Sequence, residues 1–328
     1  MNKDELYELI KETNICQISA MKNGKIVYTE TWNNYKQDDS VHIASVTKSI
    51  TSILVGIAID KGYIKNVNQK VLEFFPEYIV KKGEKTIKEV TINHLLTMTA
   101  PYKYKSEPWT KVCSSDDWTK TVLDLLGGKT GITGEFKYST LGIQILNGII
   151  TKASNMNALE LANKYLFEPL DIEPRIGYNI KNKEEHIRFI TEKEPKKKIW
   201  LCDSNKISAS GFGLCLSAND LLKIGSLFLN NGLYNNKKII SQKWLEQITT
   251  PCIKCGEKYG FMQYGKLWWI IDDKKQIYSA IGDSGNIIYI NKNENIIITV
   301  TATFKPRILD RVQFIQKYIE PYIRSIKM

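Results

Sequence analysis

A chain of 328 residues with 43% hydrophobic and 25% charged side chains has ordinary globular composition and is long enough to bury a large core. No run approaches 18 consecutive apolar residues, which argues against a membrane span, and MNKDELYELIKET lacks the basic-then-apolar order of a signal peptide, so residence in the cytoplasm is the expectation. The net charge of +11 comes with lysines spread along the sequence and one dense run, Lys196-Lys197-Lys198; without a zinc-finger, RNP or basic-zipper pattern it reads as solvated surface, and no nucleic-acid partner is expected.

Residues 14–32 alternate in the manner of strands around Asn23-Gly24, which predicts a hairpin. The spacing of Ile50, Ile53, Leu54, Ile57 and Ala58 then predicts a helix from about Ser45 to Lys61, with Gly62 as its stop. Residues 66–200 read as helices and loops. VNQKVLEFFPEY, TINHLLTMTA, DDWTKTVLDLL, LGIQILNGIITKA and ALELANKYLFEPL carry helical spacing, and 100–116 and 181–199 read as irregular. Helices are predicted again at 218–230 and 241–249. Strands follow from 260, and 307–326 closes the chain as a helix. Strands at both ends and helices between them predict an α+β fold: an antiparallel sheet built from 1–65 and 201–328, flanked by helices, with a mostly helical domain over 66–200 and the active site between the two. Trp268 and Trp269 are adjacent on a strand, so at most one of them faces a site; Trp109 is a candidate cleft residue.

Cys252-Ile-Lys-Cys255 is a lone CxxC with no second pair or histidine cluster at metal-ligand spacing. The six cysteines therefore read as free thiols, and no metal or cofactor is expected.

Three short segments carry chemistry. In HIASVTKSI, Ser45 and Lys48 are three apart, so on a helix they share one face. A serine needs a neighbouring base, and a buried lysine gives up part of its preference for the charged form. In EFKYSTLG, Tyr138 and Thr140 precede an apolar helix. In AIGDSGNI, Asp283, Ser284, Gly285 and Asn286 join one strand to the next, where glycine lets a backbone N–H approach a substrate.

In this order the three segments resemble the serine β-lactamase and penicillin-binding-protein-like hydrolases, in particular the class C-like branch with its S-x-x-K and Y-x-N-type motifs. The resemblance covers nearly the whole chain and implies the β-lactamase/transpeptidase-like fold. It implies Ser45 as the acylated nucleophile, Lys48 as its partner, Tyr138 as base and proton shuttle, and the amides of Ser45 and Asn286 as the oxyanion hole. Two departures stand out. Asp283 occupies a place where β-lactamases and D,D-peptidases carry Lys or His, so a substrate carboxylate would be repelled there. Thr140 replaces the asparagine of class C enzymes. His94, ahead of LLTMT, reads as structural. The expected partner is a small ester, amide or peptide. A penicillin-binding protein that acylates with little turnover and a basic binding protein on the same scaffold are the alternatives; acyl group, leaving group and oligomeric state stay open.

Overall fold

The computed structural model describes residues 2–180, 182–260, 262–305 and 310–327. Eight strands form the main sheet: β1 (Ile15–Lys22), β2 (Lys25–Thr31), β3 (Ile253–Lys254), β4 (Gln263–Tyr264), β5 (Trp269–Asp272), β6 (Ile277–Ile281), β7 (Ile287–Asn291) and β8 (Ile296–Ala302). Their order is β2-β1-β8-β7-β6-β5-β4-β3, antiparallel throughout. The first hairpin therefore joins the last strand, with Ser19 opposite Thr299, and the sheet is built from both ends of the sequence. Asn23 and Gly24 both take positive φ, 48° and 77°, the geometry that matches a two-residue turn to right-twisted strands.

Side chains on the central strands alternate between two apolar clusters. Ile296, Ile298 and Val300 face Leu6, Ile10, Ile315 and Ile319 of the two terminal helical segments; Ile297 and Ile288 face the opposite layer. In that layer lie α1 (Val46–Asp60) and α2 (Ala218–Leu229). Gly225 lets α2 sit directly on the sheet, since a Cβ there would lie 3.0 Å from Ile297 and 3.1 Å from Ile288. Helix α1 is buried on nearly every side along most of its length, its polar residues included, as a helix at the centre of a core must be.

Between these parts, Trp118–Leu125, Gln144–Ser154 and Ala158–Ala162 are helical, as the periodicity predicts. Two readings are corrected. VNQKVLEFFPEY makes only a short 3₁₀ turn at Val71–Phe74, because Asn66 and Gln69 side chains hold nearby backbone amides and Pro76 ends the run. The 181–199 stretch contains a helix, Lys183–Thr191, capped by Asn182, whose side chain accepts from the Glu185 amide at 2.8 Å. It leads to a strand, Ile199–Cys202, paired in parallel with Ile176–Asn179. The closing helical run is observed from Arg311 to Ser325; 306–309 fall outside the described residues.

A Cβ at Gly56 of α1 would lie 2.1 Å from Cδ1 of Trp244, whose indole donates to the Ser52 carbonyl at 3.0 Å. Gly56→Ala should therefore lower stability by about 1–3 kcal/mol, overpacking outweighing its gain in helix propensity. Denaturant unfolding checks this; equal or higher stability would contradict the packing.

Candidate active site

Residues Val41–His42 form a short strand that turns abruptly into α1. The turn is held by the Ile43 amide donating to Leu214 and by His42 Nε2, which accepts from the Gly213 amide at 3.0 Å. Ala44 occupies the left-handed region, φ 47°, a strained place for a residue with a Cβ. Ser45 follows at the N-terminus of α1, and its side chain makes no capping bond to the helix. Its Oγ instead accepts from Lys48 Nζ at 2.7 Å.

Lys48 is 1% exposed, and its second bond is to the Gly211 carbonyl at 3.0 Å. No carboxylate lies within ion-pair distance of it among the described residues. Desolvation brings its pKa down to about 7, against smaller upward pulls from Glu107 and Asp283. The amine therefore carries a free lone pair for part of the time at neutral pH.

Tyr138 sits beside this pair. Its ring lies 4.9 Å from Lys48 Nζ and stacks on Trp269 at 5.9 Å. Desolvation raises its pKa well above the ordinary phenol value, and a hydrogen bond with Ser45 only partly offsets that. The hydroxyl thus keeps its proton at neutral pH, which disfavours the resting phenolate expected of a general base. Trp268 points the other way, buried against Phe228 at 4.5 Å, as strand alternation requires.

A glycine brings the third segment to Ser45. A Cβ on Gly282 would lie 2.5 Å from the Ile43 carbonyl and 3.1 Å from the Ser45 nitrogen. Beyond it Ser284 and Gly285 both take positive φ, 65° and 89°, and the chain folds back. Asn286 is buried; its Nδ2 donates to the Asp283 carbonyl at 2.9 Å and its Oδ1 accepts from the Ala302 amide at 3.0 Å. The backbone N–H groups of Ser45 and Asn286 have no protein acceptor among the described residues.

Ser45, Thr140, Asp283, Ser284 and Asn286 line one cleft of about 230 Å³. Gly285 is the exception among the expected binding residues. It backs onto the Arg311 guanidinium, where a Cβ would lie 2.4 Å from Nε, so it shapes the turn and does not line the cleft. Trp109 forms an aromatic wall with Phe212, 5.3 Å apart, and Asp283, Glu192 and Glu194 stand exposed at the rim. Lys196 is the cation of the lining, bound to Glu192 at 3.1 Å. Desolvation holds His42 neutral, its pKa pushed down to about 3. His94 is placed in a helix cap, its Nδ1 accepting from the Thr91 amide at 3.0 Å.

Two contributors escape sequence reasoning. Glu107 Oε1 accepts from the Ser139 hydroxyl and the Leu141 amide, both at 2.7 Å, pinning the segment that carries Tyr138. Gly211 fits under Thr140, where a Cβ would lie 2.7 Å from its carbonyl oxygen. Their partners lie tens of residues away, so no local pattern marks them.

The Beta-lactamase family model matches residues 16–313. The chain belongs to the beta-lactamase family. It is 21% identical over 321 residues to the 6-aminohexanoate-dimer hydrolase of Paenarthrobacter ureafaciens, covering 91% of this chain and 75% of that one. A family VIII carboxylesterase superposes with TM-score 0.71 at 14% identity, covering 99% of this chain and 96% of that one. A class C beta lactamase from Rhodobacter sphaeroides superposes with TM-score 0.68 at 15% identity, covering 98% and 99%. At such identities the structural likeness establishes the β-lactamase/transpeptidase-like fold. Within this beta-lactamase-family frame no helix is long and apolar enough to cross a membrane, among the described residues.

Glu107→Ala would leave the Ser139 hydroxyl and Leu141 amide without their acceptor. Stability should fall by about 1–3 kcal/mol, measured by chemical denaturation. Unchanged stability would mean that Glu107 does not anchor the Tyr138 segment.

Proposed function

We propose that the protein is a serine hydrolase that cleaves a small ester or amide through an acyl-enzyme, at a site between the sheet-bearing part (1–65 and 201–328) and the helical part (66–200). The observation that carries this is the buried Lys48 amine, 2.7 Å from Ser45 Oγ, with its pKa brought to about 7. A neutral Lys48 accepts the Ser45 proton as Oγ attacks the carbonyl carbon. The carbonyl electrons move onto oxygen, and the free amides of Ser45 and Asn286 are suited to hold that oxyanion. Collapse expels the alcohol or amine, which takes its proton from Lys48 through the Tyr138 hydroxyl. Water then attacks the acyl-Ser45 ester while Lys48 accepts its proton, the acid leaves, and Ser45 is reprotonated. Tyr138 acts as a protonated shuttle in this scheme, because desolvation opposes its ionisation.

The names of the relatives, an amide-oligomer hydrolase and a carboxylesterase, support both acyl classes. Exposed Asp283, with Glu192 and Glu194 at the same rim, favours neutral or amine-bearing substrates over carboxylates. The second reading is a penicillin-binding protein that is acylated and turns over slowly; Asp283 supports its slow turnover, while opposing the penicillin carboxylate. The six unpaired cysteines support a reducing, cytoplasmic setting.

Intact-protein mass after exposure to a fluorophosphonate and to penicillin tests both readings. Wild type should gain the fluorophosphonate adduct and Ser45→Ala should not; a lasting penicillin adduct would favour the second reading. No adduct on folded wild type would overturn the hydrolase assignment. Because the reactive form is the neutral amine, the labelling rate should rise with pH through about 7 and level off above it. A rate that falls over that range would reject Lys48 as the base.

A further inference from the structure

The lysines that look dispersed in the sequence are not dispersed in space. Three separate segments, 81–85, 103–105 and 129–137, meet along a shallow surface groove on the helical part of the molecule. Lys81, Lys82, Lys85, Lys103, Lys105, Lys129 and Lys137 line it, against Glu84 and Asp124 as its carboxylates. The excess of five positive charges accounts for nearly half of the chain's net +11. Lys103 is paired with Glu84 at 3.3 Å, and Lys137 donates to the Tyr104 carbonyl at 2.7 Å. Lys81, Lys82, Lys85, Lys105 and Lys129 are exposed and make no ion pair among the described residues. Such a concentration of like charge is self-repulsive until an anion neutralises it.

Two features select the kind of anion. Ile79 lies two residues before Lys81 on the same loop and is 88% exposed, the most exposed large apolar side chain among the described residues. An apolar side chain standing free beside a lysine cluster is what an interfacial anchor needs, the apolar group entering the acyl boundary while the ammonium groups meet headgroups. The groove offers little to nucleic acid. It has no arginine fork, and its aromatic rings are already used: Tyr102 is buried and stacked on Tyr104 at 5.2 Å, with Lys137 Nζ 5.2 Å from the Tyr104 centroid.

We propose that this groove and Ile79 form a peripheral docking surface for an anionic lipid bilayer, separate from the Ser45 cleft. The docked face adjoins the catalytic segment. The Tyr104 hydroxyl donates to Ser139 Oγ at 2.7 Å, and Lys105 lies two residues before Glu107. A bilayer-bound molecule would therefore hold its Tyr138 segment close to the membrane side.

Co-sedimentation of the full chain with phosphatidylcholine vesicles, with and without phosphatidylglycerol, tests this. Wild type should bind only the anionic vesicles and be released by salt. Lys81→Glu, Lys82→Glu and Lys85→Glu combined should weaken binding at least about 100-fold, from about fivefold for each lysine removed. Ile79→Ser should also weaken vesicle binding, while labelling of Ser45 by a fluorophosphonate reports that each variant is folded. Equal binding to neutral vesicles, no vesicle binding, or variants that bind like wild type would overturn the proposal. So would tighter binding to a single-stranded oligonucleotide that Ile79→Ser leaves unchanged, which would make the groove a nucleic-acid surface.

Discussion

Burying the Lys48 amine beside Ser45 is the constraint around which the rest of the molecule is arranged. An unpaired ammonium in a dry core is costly, and the group responds by giving up part of its affinity for the proton. Keeping it there requires a helix that is enclosed on nearly every side. Four polar side chains of α1 supply the enclosure, because each binds the carbonyl of a different neighbour. Ser49 donates to Leu267 at 2.6 Å, Thr51 to Ser210 at 2.9 Å, and Ser52 to Lys266 at 2.7 Å, while Lys48 itself reaches Gly211. The loop before β5 and the strip 208–211 are thus tied to the helix that carries the serine. These bonds satisfy carbonyls that would otherwise be orphaned inside the core. The same network keeps Lys48 buried, so the packing and the lowered pKa have one cause.

The charge distribution has two opposed parts. The cleft rim is acidic, with Asp283, Glu192 and Glu194 against one paired lysine, although the protein carries +11 overall. Nearly half of the surplus of cations sits on the groove of residues 81–137. Net charge alone therefore misdescribes both surfaces. A cation meets an attractive rim at the cleft and a polyanion meets an attractive face elsewhere, so the two surfaces attract charges of opposite sign.

What the sequence makes legible divides by range. Ser45 and Lys48 are one helical turn apart, Asn23-Gly24 is a turn of two residues, and the strand and helix periods of β7, β8 and α1 are local patterns; all are readable because the physics that causes them acts between near neighbours. The three motif segments that line or flank the cleft were legible as a set through their order. Glu107 was not, since its role exists only when residues 32 and 34 positions further on fold back over it. The lysine groove was hidden for the same reason: the segments that build it are separated by some twenty residues each. VNQKVLEFFPEY failed differently. Its apolar spacing is genuine and Val71 is buried, but Asn66 and Gln69 offer the backbone a local alternative that the period does not register. Gly285 adjoins cleft residues in sequence, but its φ of 89° and the Arg311 guanidinium behind it assign it to the turn.

Glycines account for how three segments from distant parts of the chain reach one serine. At Gly282 the end of β6 comes within 3.1 Å of the Ser45 nitrogen, measured from where a Cβ would stand, and at Gly211 a second strip comes within 2.7 Å of the Thr140 carbonyl. Gly142 does the same behind Tyr138, where a Cβ would fall 2.2 Å from the Tyr102 ring. Each approach is closer than a Cβ permits; at Gly282 and Gly211 the neighbour is backbone, which cannot relax by changing rotamer, and at Gly142 it is the buried Tyr102 ring. Ala44 adds a strained φ at the one position where the chain must turn to present Ser45. That strain is borne because Ile43, His42 and Thr47 are each held by a hydrogen bond on either side of it. A serine held this way has little freedom to leave its lysine, and the two free amides near it keep their direction without a ligand to order them.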